Sequence, residues 1–357
     1  MVELKLPEFG YNYFNLDDDW AIGRDIGPGG LGTLIADPSR FVGGTLTSLA
    51  NYVHMAGMKF GTYTDRGNLT CGGRPGAFNH EKLDAQTYAN WGVDYLKEDS
   101  CYVDGSDQDL AFVEYSKMRD ALNATGRPIL FSLCGWYPWY ATVGALLGNS
   151  WRIGPDDTDW NGVLANININ SQLSQYAGAG GFNDPCLLLS NDYNSNLRIS
   201  ERQTRFQFSM WAIMTSPLLI SGNIRNMTIM NIETYTNVNV IAINQDSDAR
   251  QGIRVAGGNL TAFNATSLSG GGTNIWSKQL SDGAIALAFV NTKPTVENIS
   301  CDIRCWEAAF GGERPQSACM FNAWTGKSGC HETKSGFIAL NVESEGGVEM
   351  LRVTPQY

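Results

Sequence analysis

The sequence predicts an α/β protein: a (β/α)₈ barrel of the TIM type followed by a C-terminal antiparallel β-sandwich. Three observations carry this expectation. Short apolar runs that end in polar or charged residues alternate with segments of helical spacing, which implies a parallel sheet. Seven such runs favour a barrel over an open doubly wound sheet, and none is followed by a GxGxxG or P-loop element. After residue 248 the texture changes to Gly, Thr, Ser and short alternating strands, the signature of antiparallel β-structure. A chain of 357 residues also exceeds the roughly 250 to 300 residues that one core supports, so two domains are expected, 1–248 and 249–357.

The runs, in order, are "YFNLDDDW" (13–20), "MKFGTYTD" (58–65), "VDYLKEDSC" (93–101), "ILFSLCGW" (129–136), "SWRIGPDD" (150–157), "GGFNDPC" (180–186) and "PLLISG" (217–222). Between the first two, Leu46, Leu49, Ala50 and Val53 fall at helical spacing, and "EKLDAQTYANWG" closes on a glycine suited to a helix C-cap. In the second domain "NIWSKQL", "AIALAFVN" and "GFIALNV" read as strands. Cys301, Cys305, Cys319 and Cys330 lie there, enough for two structural bridges whose pairing the spacing leaves open.

Composition narrows the partners. A net charge of −11 without a Lys/Arg cluster repels phosphate backbones, so nucleic acid and anionic membrane are poor partners. No stretch approaches the ~20 apolar residues of a membrane helix. A neutral ligand fits better, and ten tryptophans suit sugar stacking, although core filling is expected to account for more than half of them. Eight cysteines without zinc-site spacing read as disulfides, and sequons at Asn68, Asn123, Asn226, Asn259, Asn264 and Asn298 permit glycosylation. Together they point to an oxidising, secreted setting. The opening "MVELKLPEFGY" carries no signal-peptide pattern, as expected of a chain whose leader was removed or whose natural start lies upstream.

A barrel of this kind builds its site from the C-terminal ends of its strands, and those ends carry Asp17, Asp18, Asp65, Asp99, Asp156, Asp157 and Asp184. Any one of them could simply cap a helix or open a loop. In "YLKEDSC" strand alternation separates Tyr95, Lys97 and Asp99 from Leu96, Glu98 and Ser100. If the Lys97 face points inward, Asp99 sits beside a cation that favours its ionised form, as a nucleophile needs. Glu98 then faces the helical layer, where a salt bridge or water is expected to satisfy it; the opposite orientation would bury it with no cation on its face. A second acid comes from "WRIGPDDTDW", with Asp157 and Asp159 expected to cap the next helix. Two carboxylates flanking a neutral substrate form the constellation for glycoside hydrolysis.

"GYNYFNLDDDW", "LANYVHMAGMKFGTYTDRGNLTCGGRPGAF", "DAQTYANWGVDYLKEDSC", "GNSWRIGPDDTDW", "GGFNDPC" and "NVNVIAINQD" together resemble glycoside hydrolase family 27, the alpha-galactosidase and alpha-N-acetylgalactosaminidase family, in its fungal branch. The resemblance runs from about residue 8 to residue 255; beyond that only the texture agrees. It implies that Asp99 is the nucleophile and Asp156 the acid/base. It implies that Asp17, Asp18, Tyr63, Lys97 and Arg152 hold the sugar, with Cys134 and Trp136 of "SLCGW" completing the expected substrate-binding set. Cys71 and Cys101 match a family disulfide. The implied reaction is double displacement with retention on terminal alpha-galactosyl groups of oligosaccharides or galactomannans, with no metal or organic cofactor. Its carboxyl groups are expected about 5 to 5.5 Å apart.

Against the family pattern about one βα unit is absent before the "GY" element, which would leave two sheet edges. That makes a catalytically impaired galactose-binding homologue one rival reading. Asp19 occupies the place of a family cysteine. Gly135 stands where many galactosidases place a glutamate and N-acetylgalactosaminidases a small residue, so N-acetylgalactosamine is the rival at the 2-position. Cys186 replaces an acid and Phe182 a tryptophan, and a Cys134–Cys186 bridge is expected, two buried thiols being the alternative. A calcium site is disfavoured because the acids are spread over different strands.

Overall fold

The computed structural model describes residues 1–103, 106–191, 199–312, 315–332 and 338–356. These divide into two compact units, Met1–Arg152 and Ile153–Tyr357.

In the first unit β1 (Tyr13–Asn15) leads into a hairpin of β2 (Ala21–Arg24) and β3 (Leu34–Ala36). Then α1 (Thr47–Met55), β4 (Lys59–Asp65), α2 (Glu81–Trp91), β5 (Tyr95–Asp99), α3 (Gln108–Ala124), β6 (Leu130–Leu133), α4 (Tyr140–Leu147) and β7 (Ser150–Arg152) alternate as expected. The strands pair in parallel in the order β1-β4-β5-β6-β7. β4 ends with its run at Asp65, whereas β5, β6 and β7 end at Asp99, Leu133 and Arg152, before their runs do. The helix α2 stops at Gly92, whose φ of 84° is the left-handed C-cap that "NWG" announces. Gly144 lets α4 lie directly on β7, since a Cβ there would meet the Trp151 ring at 2.1 Å. The β2–β3 hairpin has no counterpart among the expected runs. It is tied to α2 through Arg24, which pairs with the buried Asp84 at 2.6 Å.

The second unit holds α5 (Trp160–Asn170), β8 (Phe182–Asp184), β9 (Leu188–Leu189), α6 (Glu201–Ile213), β10 (Ile220–Ser221), α7 (Ile229–Tyr235) and α8 (Val238–Asn244). β9 and β10 pair in parallel. Next come β11 (Ile253–Ala256), β12 (Thr273–Gln279), β13 (Ile285–Asn291), β14 (Glu297–Cys301), α9 (Ile303–Ala309), β15 (Ser317–Asn322), β16 (Ser328–Glu332), β17 (Ile338–Val342) and β18 (Gly347–Gln356). A six-stranded sheet runs β11-β12-β13-β18-β15-β16, and β14 pairs with β17. On β13, Ile285, Leu287 and Phe289 point into a core with Ile299, Trp306 and Val342. Each such burial stabilises the domain by about 1.5 to 3 kcal/mol. The alternate residues Ala286, Ala288 and Val290 are also buried, so both faces of β13 are covered and its sequence reads as a continuous apolar run. Cys301 bonds Cys305 and Cys319 bonds Cys330. Residues 336 and 337 of the expected strand "GFIALNV" lie outside the described residues.

The fold class is therefore the one expected: a parallel barrel-type sheet with interleaved helices, and a C-terminal antiparallel sandwich. Six of the ten tryptophans (Trp20, Trp91, Trp151, Trp211, Trp276, Trp306) are buried, so most serve packing. No described helix is long and apolar enough to cross a membrane.

Candidate active site

The ends of β1, β4 and β5 bring together most of the expected residues of the first unit. Parallel register sets Tyr63 beside Lys97 and Asp65 beside Asp99. Period-two alternation then puts Lys97 and Asp99 on one face, and the Lys97 Nζ lies 3.8 Å from Asp99 Oδ2 and 2.9 Å from Asp17 Oδ2. The ammonium also sits 4.9 Å from the centre of the Tyr63 ring, a cation–π contact. The Tyr63 hydroxyl donates to Asp99 Oδ2 at 3.0 Å and lies 3.3 Å from Cys71 Sγ. Cys71 and Cys101 form the expected disulfide. Asp18 accepts from the Gly72 amide at 2.8 Å, joining the turn after β1 to this loop. Asp19 accepts from Arg74 at 2.8 Å, so an ion pair stands at the position of the family cysteine.

Asp99 is 4% exposed. Burial raises its pKa above the usual carboxylate range; Lys97, the Ser100 amide donating to Oδ1 at 3.0 Å, Cys134 and Tyr63 all oppose that rise without cancelling it. The cation beside Asp99 thus acts in the expected direction, but burial outweighs it. For Lys97 the balance is reversed: burial disfavours the ammonium, yet Cys134, Asp17 and Asp99 together raise its pKa and keep it charged.

Glu98 corrects one expectation. It does face away from Lys97, but it is 0% exposed and neither carboxylate oxygen has a hydrogen-bond partner among the described residues. Burial pushes its pKa well up, and the neutral carboxyl is the form that a dry site tolerates. The orientation of β5 therefore does not come from sparing Glu98 a burial cost. It sets Lys97 and Asp99 on the face where they meet Asp17 and Tyr63.

Beyond β6, Cys134 is buried, and Arg152 Nη1 lies 3.7 Å from its sulfur. Trp136 has φ of 65°, a left-handed conformation that costs a bulky residue free energy and is found where a side chain must be aimed. The expected Cys134–Cys186 bridge is absent: both are buried thiols. Cys134 instead lies among Lys97, Asp99 and Arg152, a polar setting that engages its sulfur without a bridge.

Asp156 belongs to the second unit, where it is exposed in the segment ahead of α5. That segment is pinned from both sides. The buried Asn166 donates to Pro155 O at 2.8 Å, and Asp159 caps α5 by accepting from the Gly162 amide. Asp159 is the cap expected; Asp157 is instead buried and accepts from Gln207 of α6 at 3.1 Å.

Two residues without an assigned role in the sequence also shape the site. Asp65 is 0% exposed and accepts the amides of Gly67 and Cys101, each at 2.7 Å. Burial, with Asp99 adding to it and the two amides opposing, pushes its pKa up to about 7. Arg66 follows it and is also buried. The matched endings "TYTD" and "YLKED" were the available signal, since equal register sets their aspartates side by side. Asp65 and Asp99 also lie close to Cys71 and Cys101 as a potential metal-ligand set, but with the sulfurs bonded to each other the thiolates a metal requires are gone.

Residues 1–246 match the family model described as "Alpha galactosidase A", and residues 270–353 match the "Alpha galactosidase C-terminal beta sandwich domain". A "Probable alpha-galactosidase" of Dictyostelium discoideum is 36% identical over 367 residues, covering 99% of this chain and 86% of the relative. The solved alpha-galactosidase of Saccharomyces cerevisiae superposes with a TM-score of 0.87 at 27% identity, covering 99% of this chain and 92% of that one. A second structure of the Saccharomyces cerevisiae enzyme, with raffinose, gives 0.86 at 26% identity over 99% and 92% of the two chains.

Proposed function

Because this chain belongs to the alpha-galactosidase A family of glycoside hydrolases, we propose that it is a retaining exo-alpha-galactosidase acting on terminal galactose of oligosaccharides and galactomannans. The observation that carries this reading is the buried Asp99 carboxylate, met by the Lys97 ammonium and the Tyr63 hydroxyl at the end of β5. In the proposed reaction Asp99 attacks the anomeric carbon while protonated Asp156 gives its proton to the leaving oxygen. Water then opens the glycosyl-enzyme with Asp156 as base. Lys97, Asp17, Asp18, Tyr63, Arg152, Cys134 and Trp136 are proposed to hold the sugar. Raffinose, present with a relative, carries such a galactose and is the first oligosaccharide to try.

We assign the catalytic barrel to 1–248 and the sandwich to 249–357, which the two family matches support. Secretion and glycosylation are part of the proposal. Three bridges and five exposed sequon asparagines, Asn68, Asn123, Asn259, Asn264 and Asn298, favour them.

Gly135 bears on the alternative sugar, N-acetylgalactosamine. A Cβ there would meet the Tyr140 ring at 1.9 Å, so the space released by glycine is filled by an aromatic ring rather than left for an acetamido group. Turnover of p-nitrophenyl alpha-galactoside and of its N-acetyl analogue, with the first-formed product anomer followed by proton NMR, tests the proposal. The expected result is hydrolysis of the former with alpha-galactose released first. Preference for the N-acetyl substrate, beta-galactose as first product, or sugar binding without turnover would each contradict it.

A further inference from the structure

We propose that the buried Arg66–Glu114 ion pair is a positioning device for the nucleophile: acting through Ser100, it fixes the backbone amide that donates to Asp99 Oδ1. The inference rests on the reading of Asp99 as nucleophile. Arg66 is 2% exposed and Glu114 4%, and the guanidinium makes a close contact with Glu114 Oε2. Its Nε donates to Ser100 Oγ at 2.9 Å, and its own amide donates to Asp99 O at 3.0 Å. Tyr115 of α3 completes the arrangement: its hydroxyl lies 2.9 Å from Ser100 Oγ and donates to Glu98 O at 3.1 Å, while Arg66 rests 5.7 Å from its ring centre. Three consecutive residues, Glu98, Asp99 and Ser100, are thus gripped from the side of the helical layer. The sugar-facing set grips Asp99 from the other side.

A buried ion pair is weak evidence of stabilisation, since well-packed apolar residues often serve as well. Here the pair spends one guanidinium donor on Ser100, and Ser100 spends its amide on the nucleophile. Loss of the tether would free that amide, and Asp99 would lose a donor that favours its ionised form. The other groups facing Asp99 are Lys97 on its own strand, Tyr63 and Asp65 on β4, and Cys134 after β6, with Asp17 reaching it through Lys97. Of these, Asp65 also feels the Arg66 charge, which opposes the rise in its pKa, so Ser100→Ala, which leaves that charge in place, isolates the tether from the field of the guanidinium.

The test compares Ser100→Ala, Arg66→Lys and the double variant Arg66→Met/Glu114→Met with the parent enzyme, with Asp99→Asn alongside. The double change avoids a lone buried carboxylate, and Ser100→Ala alters one hydroxyl, so at least one variant tests the idea in folded protein. For the double variant kcat is expected to fall on the order of 10- to 100-fold with little change in KM. The acidic limb of kcat/KM is expected to move to higher pH in it, and less far in Ser100→Ala. Arg66→Lys keeps the charge without the two-pronged donor and is expected to restore only part of the loss. Unchanged kcat and unchanged acidic limbs in Ser100→Ala and the double variant, with only thermal stability altered, would overturn the proposal. Parental activity in Asp99→Asn would instead remove the nucleophile reading, and the inference with it; an inactive Asp99→Asn beside unaltered variants would overturn the positioning role alone.

Discussion

Asp99 is held between opposing influences, and its behaviour follows from which is larger. Burial lifts the carboxyl above its ordinary range, and Lys97, Ser100, Cys134 and Tyr63 recover part of that cost. In its proposed role as nucleophile Asp99 must be ionised, so activity is expected to fall as pH drops through its pKa, at a pH above that of an ordinary aspartate. A pH profile of kcat/KM checks this. Replacing Lys97 by Met removes the cation and should carry that limb higher still, with a loss on the order of 10²-fold in kcat at neutral pH. Asp99→Asn should cost about 10⁴-fold or more, the scale of removing a single catalytic group. At this scale the sequence was informative where alternation decided the face, as for Lys97 and Asp99. It was silent where the answer depended on what packs behind the strand. Glu98 looked like a residue needing a partner, and only the folded structure places it fully buried, with no partner for its carboxylate oxygens among the described residues and its pKa pushed up by burial.

The two neighbouring strands β4 and β5 end in a pair of buried acids, Asp65 and Asp99, with Glu98 behind them. Folded Asp65 titrates near 7 rather than near the unfolded value of about 4, so the folded state binds the extra proton between those values. Its contribution therefore weakens stability as pH rises from about 4 to about 7. Glu98, also raised by burial, acts in the same direction. Thermal melts over this range should show Glu98→Leu losing less stability with rising pH than the parent; parallel curves would refute the assignment of a buried neutral acid. The Cys71–Cys101 bond closes a loop with a sequence separation of 30. Replacing both cysteines by alanine should therefore cost about 2 to 4 kcal/mol in a denaturant titration. The seven runs were readable because short apolar stretches such as Tyr95–Leu96 and Leu130–Leu133 give way to polar or charged residues at or just beyond the strand ends. The β2–β3 hairpin was not, because its strands are short and half exposed, and its anchor, Arg24 to Asp84, joins residues 60 positions apart. The cysteine arithmetic foresaw two bridges in the second domain, whereas the bridge expected between Cys134 and Cys186 is absent and both are buried thiols.

For the molecule as a whole, the proposed reaction draws one acid, Asp99, from the segment ending at Arg152 and another, Asp156, from the segment beginning at Ile153. The barrel and the sandwich were legible from period and texture, and the functional class from matched motifs, whereas the strand order of the second domain was not. The proton-carrying role proposed for Asp156 rests on resemblance alone, since an exposed aspartate ahead of a helix is commonplace. The most direct measurement is peptide mass spectrometry after inactivation with a 2-fluoro galactosyl reagent that traps the glycosyl-enzyme. The account expects one galactosyl label per chain, on the peptide containing Asp99, with labelling lost in Asp99→Asn. A label on another carboxylate, such as Asp65 or Asp156, or no covalent adduct in an active enzyme exposed to the reagent, would contradict it.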